Sequence, residues 1–86
     1  MPNRAVLKRM ADAVDAFEAG NLKASSLERL WEGHVSALEG VGSGVVDECR
    51  DATYQLVAAY TDEETAVALE RLRRVLRSVS ERAKGY

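Results

Sequence analysis

The sequence predicts an all-α protein, an antiparallel four-helix bundle with up-and-down topology in one domain spanning residues 1–86. Apolar residues recur at steps of three and four in four separate segments, as on one face of a helix. Glycines and capping residues separate the segments, and the connections of about three to five residues favour antiparallel neighbours. The single proline, at position 2, interrupts no helix interior.

The first two segments carry helix start and stop patterns. Asn3 is expected to cap the first helix, and Gly20 to end it in the left-handed conformation. Ser25-Ser26-Leu27-Glu28 matches a capping box before the second helix, which Gly40 is expected to close. The predicted apolar stripes contain Val6, Met10, Val14 and Phe17, then Leu27, Leu30, Trp31, Val35 and Leu38; His34 follows the second stripe in a partly buried or surface position.

The last two segments are separated by a second capping box, Thr61-Asp62-Glu63-Glu64. The third helix is expected to place Val46, Cys49, Thr53, Leu56 and Tyr60 on one face, and the fourth Leu69, Leu72, Leu76, Val79 and Ala83. Both series follow the helical period.

Composition argues against several classes of function. A lone cysteine excludes an internal disulfide framework and fits a reducing compartment, and no apolar run approaches the roughly 20 residues that span a bilayer, so a cytoplasmic protein without a membrane partner is expected. His34 and Cys49 are too few for a structural metal site. We therefore predict no catalytic residues, no metal, no cofactor and no enzymatic activity.

Charge is distributed unevenly along the chain. Residues 1–70 carry 13 acids and 6 Lys/Arg, a net of −7, whereas residues 71–86 carry 6 Lys/Arg and one Glu, a net of +5, which together give the −2 of the whole chain. In an up-and-down bundle, one pole collects the acids Asp15, Glu18, Glu28, Asp62, Glu63 and Glu64. Such a pole can steer and hold a basic protein surface.

A second acidic feature lies on the third segment. Asp47, Asp51 and Tyr54 are spaced i, i+4 and i+7, facing away from the apolar seam, with Glu48 beside them. We predict these four residues as the partner-binding site, with Asp62 and Glu63 as the other candidate patch. The simpler interpretation of this stripe is a solvated face. A further simple explanation is that acids in the first turn of a helix interact favourably with its dipole, which is expected for Glu28, Asp47, Glu48, Asp62, Glu63 and Glu64.

The basic last helix allows a different function. Arg71, Arg73, Arg74 and Arg77 could contact phosphates of RNA or DNA. The pI of about 5.4 and the lack of aromatic residues beside the arginines argue against it. Otherwise Glu70 would pair with Arg74, and Arg73, Arg77 and Lys84 would bridge to Asp47, Glu48 and Asp51.

A third function is self-association. In that case Trp31 would be exposed in the monomer and buried only in a homodimer, which the sequence leaves open as a partner. Core packing is the alternative role for Trp31.

The layout of residues 12–60 resembles that of the small helical immunity proteins of bacterial toxin–immunity systems, including those of colicins and contact-dependent inhibition toxins. The similar stretches are VDAFEAGNL, LERLWEGHVSALEG and RDATYQLVAAY, and the matching positions are Phe17, Gly20, Leu27, Leu30, Leu38, Leu56 and Tyr60. The resemblance implies a protein that binds a cognate toxin domain, often a nuclease with a basic cleft, and blocks its active site or substrate path.

Overall fold

The structure, a computed structural model, describes residues 3–82, which form four α-helices in a ring. They are α1 (Asn3–Glu18), α2 (Ala24–Ser36), α3 (Ser43–Ala58) and α4 (Asp62–Arg82). Each helix packs against the next, and α1 packs against α4. The predicted antiparallel four-helix bundle is thus confirmed, and no helix in the described part of the chain could cross a membrane.

The core is built from small aliphatic side chains around one tryptophan. The buried apolar residues are Val6, Met10, Ala13, Val14, Leu27, Trp31, Val35, Leu38, Val45, Cys49, Ala52, Leu56, Ala68, Leu72, Val75 and Val79. The buried face of α4 differs from the predicted one at two positions. Ala68 and Val75 are buried, whereas the predicted Leu69 and Leu76, each one residue further along, are half-buried. Ala83 lies outside the described residues.

Two residues predicted for the core are exposed. Helix α3 ends at Ala58, so Tyr60 lies in the connection to α4 and is 96% exposed. The prediction that Tyr60 shares the buried face of α3 is therefore wrong. Leu30 is also exposed, because it lies at the edge of the buried stripe formed by Leu27 and Trp31.

Gly20 ends α1 as predicted. Its φ is +83°, and its backbone N–H donates to the carbonyl of Phe17 at 3.0 Å. The Asn21 N–H donates to the carbonyl of Ala16 at 2.9 Å, which completes a Schellman motif. The motif provides hydrogen-bond donors for two carbonyls that the helix end would otherwise leave unpaired.

The two predicted capping boxes have different outcomes. At α4, the Glu64 N–H donates to Thr61 Oγ1 at 3.0 Å and the Thr61 N–H donates to Glu64 Oε1 at 3.1 Å, so this box is confirmed. At α2, the helix already begins at Ala24, and Lys23 occupies the capping position without a side-chain hydrogen bond. The prediction of a capping box at Ser25–Glu28 is therefore wrong.

Asn3 and Gly40 also differ from expectation. The Asn3 side chain is buried and bonds the backbone of Glu39, accepting from its N–H at 2.9 Å and donating to its carbonyl at 2.8 Å. It joins the start of α1 to the α2–α3 connection, and does not serve as the predicted cap. Gly40 does not close α2, which ends at Ser36, and its φ of +73° turns the chain within that connection.

Candidate functional site

The outward surface of α3 carries the predicted acidic stripe. Asp47, Asp51 and Tyr54 are all exposed, and Tyr54 has 67% of its surface accessible. Their spacing keeps them on one side of the helix, opposite the buried Val45, Cys49, Ala52 and Leu56. We call Asp47, Asp51 and Tyr54 the acidic face.

Glu48 does not belong to the acidic face. It is half-buried and lines a shallow groove between α3 and α4 together with Arg71 and Arg74. One position along a helix rotates the side chain by about 100°. Glu48 is therefore turned toward the bundle, next to Asp47, which points to solvent.

The helix dipole does not account for the acids of α3. The first turn of α3 holds no acidic residue, because the helix begins at Ser43, four residues before Asp47. The first turn of α2 holds no acidic residue either, so the prediction that Glu28 and the acids of α3 lie in first turns is wrong. Only α4 has acids in its first turn, namely Asp62, Glu63 and Glu64. For Asp62 and Glu63, dipole stabilisation is a sufficient explanation.

Arg73, which the sequence pattern predicted to pair with the acids of α3, instead neutralises part of the acidic pole. Arg73 of α4 forms ion pairs with Glu18 and with Asp15, the latter at 3.4 Å, both on α1. The predicted bridges from Arg73 and Arg77 to the acids of α3 are wrong, since within residues 3–82 neither arginine pairs with Asp47, Glu48 or Asp51. Lys84 lies outside the described residues.

The arginines of α4 do not share one surface. Arg73 faces α1, whereas Arg71 faces α3, where it donates to Gln55 Oε1 at 2.7 Å. Arg74 lines the groove beside Glu48, and Arg77 is exposed. The expected Glu70–Arg74 ion pair is not formed among the described residues. A phosphate backbone would thus meet separated cations instead of a continuous basic strip.

A groove of about 270 Å³ runs between α2 and α3, next to the acidic face. Its floor contains the buried side chains of Trp31, Val35 and Cys49. Glu28 and Glu32 line it from α2, and Arg50 and Tyr54 line it from α3. Tyr54 therefore belongs both to this groove and to the acidic face.

Cys49 is a poor nucleophile in this position. Burial, together with the smaller effect of the nearby Glu48 carboxylate, which opposes the thiolate charge, raises the pKa of the Cys49 thiol to about 11. Because the thiolate is the reactive form, the thiol is protonated and unreactive near neutral pH.

Trp31 is a core residue. It is 1% exposed, and its indole Nε1–H donates to the Met10 carbonyl at 3.0 Å, linking α2 to α1. A homodimer that buries an exposed Trp31 is therefore contradicted.

Sequence reasoning missed Glu32 and Arg50 as groove residues. The signal for Glu32 was available, because Glu28, Glu32 and Ser36 follow an i, i+4, i+8 ridge beside the Trp31–Val35 stripe. Which helix that ridge faces depends on the tertiary packing, so Arg50 could not be paired with it in advance.

Comparison with protein-family models, with curated proteins and with solved structures finds no match to this chain.

Proposed function

We propose that this chain is an immunity-type inhibitor that binds a bacterial toxin domain with a basic surface and occludes its active site or substrate cleft. Asp47, Asp51 and Tyr54 of the acidic face form the centre of the contact. The toxin class proposed is a nuclease, whose phosphate-binding cleft would accept exposed carboxylates. The inhibitor acts by binding alone.

The observation that carries the proposal is the pair of unexplained carboxylates on α3. Asp47 and Asp51 are exposed, lie beyond the first turn of their helix and form no ion pair among residues 3–82. Neither helix capping nor a partner within the described bundle accounts for them. A basic surface on a protein partner would account for both carboxylates.

Tyr54 strengthens the case for a protein partner. A tyrosine with 67% of its surface accessible leaves a large aromatic ring in water, beside two carboxylates. Tyrosines of this kind are over-represented among residues that dominate interface energetics. The opposite side of α3 is buried in the core through Val45, Cys49, Ala52 and Leu56, and this packing holds the helix that presents the ring and the carboxylates.

Growth of a bacterial host tests the function. The product of the gene directly upstream would be expressed with and without this chain, and we expect growth to be restored only when this chain is present. A harmless neighbour, or one that still kills at matched expression, would remove the proposed immunity against it.

Charge reversal tests the interface with the toxin thus identified. We expect Asp47→Lys with Asp51→Lys to lower the association rate about 10-fold or more at low salt, because opposite-charge steering becomes repulsion. Surface plasmon resonance measures the rates, and circular dichroism checks helicity.

A matched variant controls for net charge. Glu70→Lys with Glu81→Lys makes the same change in charge at exposed positions of α4 and is expected to bind nearly as the wild type does. If the folded α3 variant binds the toxin at the wild-type rate, the acidic face is not the contact surface.

Nucleic-acid binding is the weaker alternative. It would need Arg71, Arg73 and Arg74 to act together, and the packing directs Arg73 to α1 and the other two toward α3. Binding that falls steeply with salt would support it.

A further inference from the structure

We propose that the α2–α3 groove is a receptor for an arginine side chain of a protein partner. The inference rests on the proposed function only in assigning that arginine to the toxin. The groove and the chemistry of its walls stand independently of it.

The walls of the groove suit the stem of an arginine. Trp31, Val35 and Cys49 close its base and are themselves almost fully buried. The apolar surface that a ligand can reach therefore comes from the half-buried Val46 and the exposed ring of Tyr54. Arginine covers apolar surface with its methylene groups while its charged head stays near water. The groove volume of about 270 Å³ is open to solvent along one side, so the head group can reach its rim.

The rim supplies the countercharge. Glu28 and Glu32 lie one turn apart on α2, and within residues 3–82 neither forms an ion pair. Side chains at this spacing are neighbours on the helix surface, so both carboxylates can approach one guanidinium group. Among the described residues that line this groove, Arg50 on the opposite wall is the only cation.

Charge complementarity indicates that the occupant is positively charged. The groove together with the acidic face holds Glu28, Glu32, Asp47 and Asp51 against Arg50. The net negative charge attracts a cation and disfavours an acidic or phosphate-bearing ligand. Tyr54 belongs to both surfaces, so one partner can cover them at once.

A pair of short peptides tests the proposal without any toxin. Acetyl-Ala-Arg-Ala-amide and its citrulline counterpart have nearly the same shape but differ in charge, and each would be titrated into 15N-labelled protein while amide resonances are followed by NMR. We expect the arginine peptide to shift the amides of Val46, Arg50 and Thr53, which line the groove. The citrulline peptide should shift them much less.

Three variants define the site. Glu28→Gln with Glu32→Gln should weaken arginine-peptide binding roughly 3- to 10-fold, as expected for two solvent-accessible ion pairs. Arg50→Gln should strengthen it, because a like charge is removed. The control, Glu70→Gln with Glu81→Gln, makes the same change in net charge outside this groove and should leave the affinity unchanged.

The outcomes separate the two proposals. Equal shifts from both peptides, or shifts spread over the surface without the groove amides, would overturn the arginine site even if growth rescue succeeds. Arginine-specific groove shifts that depend on Glu28 and Glu32 support the site, and they do so even if growth rescue fails and the immunity function is lost.

Discussion

At the scale of single residues, folding changes the acidity of the Cys49 thiol. In an unfolded chain its thiol has the ordinary pKa of 9.0, and burial beside Glu48 raises the pKa to about 11. Between these values the unfolded chain has released the thiol proton and the folded chain still holds it. Rising pH therefore favours the unfolded state across that window.

This difference predicts alkaline destabilisation that depends on Cys49. The free energy of unfolding should fall from about pH 9 to about pH 11 more steeply for the wild type than for Cys49→Ala, which has no thiol to ionise. Urea titrations at several pH values, followed by circular dichroism, measure the two slopes. Parallel slopes would show that the thiol is not protected by burial.

At the scale of helices, two copies of one sequence pattern have different structures. Thr61-x-x-Glu64 caps α4 reciprocally, whereas Ser25-x-x-Glu28 lies inside the first turns of α2. The difference originates upstream of Ser25. Leu22 and Ala24 pack against the core, and α2 begins at Ala24, one residue before Ser25. After Ala58, by contrast, Tyr60 and Thr61 are exposed and do not pack against the core. Helix α4 therefore begins at its capping box.

Alanine substitutions should separate the two patterns. Thr61→Ala removes the acceptor for the Glu64 N–H and should lower the free energy of unfolding by about 1 kcal/mol. Ser25→Ala should be neutral or slightly stabilising, since alanine has the higher helix propensity. Thermal or urea unfolding measures both, and an equal loss in the two variants would contradict the assignment of the caps.

At the scale of the whole molecule, polar contacts of unequal exposure join α1 to the rest of the bundle. The buried Trp31 indole donates a hydrogen bond to the Met10 carbonyl, and the buried Asn3 amide bonds to the backbone of Glu39. Arg73 bridges from α4 to Asp15 and Glu18 at the surface, with 42% of its side chain exposed. Buried hydrogen bonds outweigh exposed ion pairs because solvent and salt screen the latter.

Unfolding of two variants checks this ranking. Asn3→Ala should cost about 1–2 kcal/mol, because it removes two hydrogen bonds that join positions 36 residues apart. Arg73→Ala should cost less than about 1 kcal/mol, and its effect should shrink further at high salt. A larger loss for Arg73→Ala at physiological salt would reverse the ranking.

The sequence by itself determined the helical class, the order of four helices, most of the core and the outward position of Asp47, Asp51 and Tyr54. These follow from the helical period, which depends only on local geometry. Only the tertiary structure decided which charges meet: Arg73 pairs with α1, Glu48 turns toward α4, and Glu28 and Glu32 face Arg50 across a groove. The period places a side chain on one side of its helix, but packing decides which neighbouring helix that side meets.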